Sequence, residues 1–184
     1  MRKIVVWNVM TLDGYFEGTE PWDLSFHNLV WGAELEALSL AQGEELGTLL
    51  FGRKTYEGMA SYWTKETGAI ADMMNNSEKA VASRTLKEAT WNNSRLLDGD
   101  IVEAVERLKR EPGKDIFVFG SADLLDTLLA HGLVDEYRLC IAPVVLGAGN
   151  PLFKPGRELA MKLTQTTTLK NGGVILRYLP QAAA

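Results

Sequence analysis

A single cysteine, Cys140, and two histidines, His27 and His131, are all the thiol and imidazole chemistry the 184-residue chain carries. One cysteine excludes an internal disulfide framework and a cysteine-based zinc site, and Cys140 sits inside an apolar run, the setting of a buried, inert thiol. The two histidines lie far apart in sequence, so no metal site is expected. Positive charge is also short. With 19 Lys and Arg against 24 Asp and Glu the net charge is -5, and the cations are scattered, which argues against a nucleic-acid partner. No apolar run approaches the ~20 residues that cross a bilayer, and Met1-Arg2-Lys3 leads straight into a strand pattern rather than a signal peptide. The expectation is a cytoplasmic protein without a membrane partner. Internal repeats and low-complexity segments are missing too.

What is present is an ordinary globular composition, 46% hydrophobic and 23% charged, in a length that suits one domain with a full core. Residues 1–180 are expected to form that domain, followed by a tail at 181–184. Residues 3–10 (KIVVWNVM) are almost continuously apolar, the pattern of a central strand covered on both faces. Thr11-Leu12-Asp13-Gly14 marks its exit, and a long polar and aromatic connection, 15–28, follows; loops of that length on a compact domain are usually functional. Asp13 reads either as a turn-forming residue or as a carboxylate facing a ligand. Residues 29–46 have helical period, 48–51 (TLLF) form a second buried strand, and Gly52 then opens a helix whose first turn carries Arg53, Lys54 and Thr55. A short helix at 69–74, a third strand at 79–82 and the loop residues Ser83-Arg84 come next. Ser83 and Arg84 suit a phosphate monoester, or Arg84 is an idle surface cation. An amphipathic helix at 100–110 stops at Pro112-Gly113.

The chain is organised around 116–153. There IFVF forms a strand, breaks at Gly120-Ser121 and enters a helix with Leu124, Leu125, Leu128 and Leu129 on one face, Ser121 as N-cap and Gly132 at the end. A helix starting just after a strand aims unpaired N–H groups outward and binds anions. Gly120 serves either that approach or the turn alone. Asp123 opposes a phosphate there unless cations such as Arg53 and Lys54 offset it. A strand at 137–141 follows, then a Pro- and Gly-rich loop, 142–156, expected to be neither helix nor regular sheet. Asn171-Gly172-Gly173 between strand-like runs at 161–169 and 174–179 signals a hairpin. The tally is a three-layer α/β domain: a mixed, mostly parallel sheet of about eight strands, helices on both faces, and a C-terminal antiparallel hairpin.

Four segments in this order, Thr11–Gly14, Leu50–Glu57, Phe119–Ser121 and Gly132–Glu136 leading to Ala142–Gly147, resemble the dihydrofolate reductase superfamily. Within it the chain is most similar to the C-terminal reductase domain of bifunctional riboflavin-biosynthesis deaminase-reductases and its stand-alone relatives. The resemblance implies NADPH, with Gly52, Arg53, Lys54 and Thr55 near the pyrophosphate and adenosine phosphate, Ser83 and Arg84 near the 2′-phosphate, and Gly120, Ser121, Ala122, Asp123 and Leu124 under the pyrophosphate. It sets the nicotinamide carboxamide against Val9, with Thr11 and Asp13 facing the substrate as the candidate catalytic pair. Hydride would pass to a pyrimidine- or pteridine-like ring, by default 5-amino-6-(5-phosphoribosylamino)uracil. Another pteridine-like or carbonyl compound, or a non-catalytic NADPH-binding module, are the alternatives. Pro21-Trp22-Asp23-Leu24 resembles the opening of the segment that carries the pterin-binding acid in dihydrofolate reductase, but Ser25, Phe26, His27 and Asn28 follow here instead of that acid. The superfamily's frequent pair of glycines is Gly120-Ser121 in this chain. A homodimer through the edge of the C-terminal hairpin is expected, as in relatives.

Overall fold

The run 3–10 becomes β1 (Ile4–Thr11), buried along its length except at half-buried Trp7. In the computed structural model, which describes residues 1–181, it is followed by β2 (Tyr15–Glu17), a 3-10 turn (Ser25–Leu29), α1 (Ala33–Gly43), β3 (Leu46–Gly52), α2 (Arg53–Trp63) and α3 (Ala69–Asn76). Next come β4 (Glu78–Ala82), β5 (Ser94–Leu96), α4 (Ile101–Arg110), β6 (Asp115–Phe119) and α5 (Ala122–Ala130). β7 (Glu136–Ala142), β8 (Asn150–Pro151), β9 (Met161–Thr168) and β10 (Val174–Pro180) complete the chain. Of the expected tail, only Gln181 falls within the described residues.

Eight strands make one sheet in the order β5-β4-β3-β6-β1-β7-β10-β9. The first six run parallel, and the β10 and β9 hairpin closes one edge antiparallel. β1 therefore sits between β6 and β7, which is why both its faces are apolar. One face buries Ile4, Val6, Leu50 and Val118 with Val105 and Leu108 of α4 and Leu125 and Leu128 of α5. Each fully buried leucine of this kind contributes about 1.5–3 kcal/mol. The other face buries Val5, Leu49 and Phe117 with Tyr56 of α2 and Met74 of α3, and farther along Val9 with Phe26 of the 3-10 turn and Leu35 of α1. Trp7 packs on both of these groups and joins them. The three-layer fold and the terminal hairpin are those expected from sequence.

Several boundaries moved, each for a tertiary reason. The helical period at 29–46 breaks into the 3-10 turn and the shorter α1, because Leu46 is drawn into β3 opposite Asp115. The loop 142–156 contains a two-residue strand, β8, that pairs with β2, itself unforeseen. β5 was also missed. Its three residues pair only with β4, and nothing in their order marks them as a strand. The helix expected from 100 starts at Ile101 because Asp100 is its cap, accepting hydrogen bonds from the Val102 and Glu103 amides at 2.9 and 3.2 Å. Gly132 ends α5 in left-handed backbone, with the Leu133 amide donating to the Leu128 carbonyl at 3.0 Å.

Candidate functional site

Parallel pairing brings the strand ends to one edge of the sheet. Gly52 is in register with Ala82 and Trp7 with Phe119, while Leu50 pairs with Val118, two residues before Gly52 and Gly120. A crevice of about 1220 Å³ opens along this edge. Open parallel sheets bind ligands beyond the carboxyl ends of their strands, where the connections diverge to opposite faces. Every residue singled out for a cofactor lies on its wall: Val9, Gly52, Arg53, Lys54, Thr55, Ser83, Arg84 and Gly120 through Leu124.

The two helix starts at this edge are physically joined. The Ser121 hydroxyl accepts from the Gly52 amide at 3.0 Å and donates to Thr55 Oγ1 at 2.6 Å. Ser121 occupies the N-cap position expected from sequence but makes no side-chain cap hydrogen bond; its left-handed backbone (φ 60°) turns the hydroxyl away from α5 and across to α2. No side chain caps either α2 or α5, so the first amides of both remain available to an anion. With the Ser121 hydroxyl spent on Thr55, the Thr55 proton is free to donate. The close approach explains the glycines: a Cβ on Gly52 would stand 3.2 Å from Ser121 Oγ, and Gly120 has φ 64°. Asn8 fixes the Gly120 turn by accepting its amide at 2.8 Å, and its own side-chain nitrogen is buried without a partner. A polar residue inside an otherwise apolar strand was the sequence signal for that role, and it was missed.

The charges are allocated differently from expectation. Asp123 is paired with Lys154, whose ammonium, with a smaller contribution from Lys54 and none from Arg53, holds its carboxyl below the usual range. Arg53 is engaged by Glu57 at 3.1 Å. Lys54 and Arg84 have no ion-pair partner among the described residues. Ser83 Oγ accepts from the amides of Thr85 and Leu86 at 3.2 and 2.9 Å, shaping the loop that presents Arg84.

Thr11 and Asp13 are brought together but do not line the crevice. Thr11 Oγ1 donates to Asp13 at 2.6 Å, and Asp13 accepts the Leu146 and Gly147 amides at 3.2 and 2.7 Å. The Thr11 hydroxyl, followed by these amides, holds the Asp13 carboxyl below its ordinary value. The pair ties the exit of β1 to the loop after β7. His27, by contrast, lines the crevice; its Nε2 is buried without a partner, and burial lowers its pKa to about 4. Cys140 is buried in β7, its thiol pushed up to about 12 by desolvation. Among the described residues no cluster of His, Cys, Asp and Glu suits a metal, and no helix is long and apolar enough to cross a membrane.

The model of the RibD C-terminal domain matches residues 2–175. The chain belongs to the RibD C-terminal domain family. It is 32% identical to the uncharacterized protein YyaP of Bacillus subtilis (strain 168), over 96% of this chain and 94% of that protein. Among solved structures, this RibD-type domain is similar to a putative riboflavin biosynthesis protein from Shewanella sp. PV-4, with a TM-score of 0.79 at 19% identity, covering 98% of this chain and 99% of that one. It also resembles a pyrimidine reductase-like protein from Corynebacterium diphtheriae, with a TM-score of 0.70 at 14% identity, over 99% and 93% of the two chains. A deaminase and 5-amino-6-(5-phosphoribosylamino)uracil reductase from Thermotoga maritima aligns with a TM-score of 0.67 at 12% identity, over 98% of this chain but 57% of that one. At these identities the likeness is one of fold, the dihydrofolate reductase-like fold of the RibD reductase domain.

Proposed function

We propose that this RibD-type domain is an NADPH-dependent reductase that transfers hydride to a pyrimidine- or pteridine-like ring, and that it acts as a homodimer joined through its C-terminal hairpin. The observation that carries the reading is the pair of uncapped helix starts, linked through Ser121 and Thr55 and facing one crevice. Such a pair suits the two phosphates of a dinucleotide. The residues present fit NADPH. The amides of α2 and α5, the Thr55 hydroxyl and Lys54 would hold the pyrophosphate, Gly120 would permit its approach, Arg84 would meet the 2′-phosphate, and Val9 would face the carboxamide.

When bound, NADPH supplies the hydride, and a proton from solvent completes reduction of C=N or C=O. The chain orients the two rings and excludes water. Thr11 and Asp13 act as positioning residues: the carboxylate stays ionised at neutral pH, so it fixes the 146–147 loop rather than giving up a proton. The first compound to assay is 5-amino-6-(5-phosphoribosylamino)uracil.

A fluorescence titration with NADPH and NADH tests the reading. Arg84→Ala is expected to weaken NADPH by about tenfold or more, the loss of one charge-assisted contact, and to leave NADH within about twofold. Equal losses for both cofactors refute the role of Arg84, and no binding of either refutes the reductase.

A further inference from the structure

The charged residues on the crevice wall are confined to one half of it. Glu17, Arg53, Lys54, Glu57, Arg84 and Asp123 sit on β2, the starts of α2 and α5, and the loop after β4. The other half lies over the sheet face that packs against α1, α2 and α3, and no charged side chain lines it among the described residues. Trp7 and Phe119, side by side on β1 and β6, form its floor. Trp31, Met59, Trp63 and Met73 form its sides.

The guanidinium on the neighbouring strand is already committed. Arg138, on β7 beside Trp7, is buried, bonded to Glu136 at 2.6 Å and Glu45 at 2.6 Å, and lies over the Phe117 ring at 5.4 Å. It also donates to Gln42 Oε1 at 3.1 Å, so the Gln42 carbonyl on the wall is occupied as well. Of the crevice-lining residues, Asn8 and His27 each carry a buried side-chain nitrogen without a partner among the described residues, Asn8 at the Gly120 turn and His27 in the 3-10 turn just before Trp31. A neutral imidazole recognises a ring nitrogen or carbonyl, and aromatic walls favour a flat π-system. A phosphate placed here would lose its hydration without gaining a cation.

From this division of charge we infer that the hydride acceptor is an uncharged, planar ring compound without a phosphate group, held between the tryptophans and touched by His27 Nε2. The inference rests on the reductase reading, because that reading assigns Lys54 and Arg84 to the cofactor. It narrows the substrate class. The ring binds by stacking and one neutral hydrogen bond, and a phosphoribosyl tail adds no affinity.

The test uses the full chain, tryptophan fluorescence, and three probes: lumazine, 5-amino-6-ribosylaminouracil and the 5′-phosphate of the latter, each titrated with and without saturating NADPH. The phosphate-free uracil is expected to bind within about threefold of its phosphate or tighter, and lumazine is expected to bind. Trp31→Ala, at a residue 49% exposed and therefore tolerant of change, is expected to weaken lumazine about tenfold without altering NADPH affinity. Tenfold or tighter binding of the phosphate form, no binding of lumazine, or an unchanged lumazine affinity in Trp31→Ala overturns the inference. The cofactor arm separates the two readings. If NADPH does not bind while the ring preference holds, the reductase falls and the ring site stands; if NADPH binds and the phosphate form is preferred, the reverse follows.

Discussion

His27 shows how a single residue couples the crevice to the stability of the chain. Burial lowers its pKa to about 4, below the ordinary histidine value of ~6.5. Between those values the unfolded chain takes up a proton that the folded chain refuses. The stability due to the neutral imidazole is therefore whole above pH ~6.5 and is lost as pH falls toward about 4, with an upper bound of about 3 kcal/mol at ~1.4 kcal/mol per unit. His27→Phe keeps the ring and removes the titration. Its stability is expected to fall less steeply than the parent's between about pH 6.5 and pH 4, measured by urea unfolding at each pH. Parallel curves for the two proteins would show that His27 is not the titrating group. Ser121 teaches a different lesson at the same scale. A serine before a helix has the composition of a cap, but two successive left-handed residues, Gly120 and Ser121, send the hydroxyl to the neighbouring helix instead.

Among the elements, the segment between β2 and the 3-10 turn is tied across the crevice. Trp22, in left-handed backbone with φ 65°, lays its indole on Gly58 of α2, where a Cβ would come within 1.7 Å of Trp22 Cζ2. Gly58 lies in mid-helix, where glycine is about 1 kcal/mol worse than alanine, so its presence is a packing requirement rather than a helix preference. Gly58→Ala is expected to leave the melting temperature unchanged or raise it while displacing the indole. The readout is a red shift of tryptophan emission with weaker quenching by lumazine. An unchanged emission spectrum would mean that Trp22 does not rest on α2 in solution. The sequence hinted that 15–28 is functional through its length alone, and could not show where it docks, because Trp22 and Gly58 meet only after β3 has placed α2 beside the loop.

On the scale of the molecule, β9 is the outlying strand of the sheet, paired only with β10 and exposed along most of its length. Leu163 is 48% exposed on it, an apolar side chain on an open edge. The proposed dimer uses this edge, since a two-fold interface buries the same strand from both copies. Leu163→Lys is expected to raise the dimer dissociation constant about tenfold or more without unfolding the domain, as read by light scattering across a dilution series. A parent chain that is monomeric throughout the series removes the dimer.

How much of this was legible depends on whether a feature is local. The chain order of apolar runs, Gly52 and Gly120 at the ends of strands, and Asn171-Gly172 in the hairpin follow from steric and solvation preferences of neighbouring residues, and they sufficed for the three-layer fold and for the set of residues that the structure gathers along one crevice. Only the tertiary structure decided which group satisfies which. Lys154 rather than Arg53 answers Asp123, Ser121 bonds to Thr55 rather than capping α5, and Asp13 is held by the 146–147 amides away from the crevice. Those partners are 31, 66 and 134 residues apart in the chain, and hydrogen bonds and ion pairs at such separations depend on side-chain positions set by the packed sheet, which no local pattern encodes.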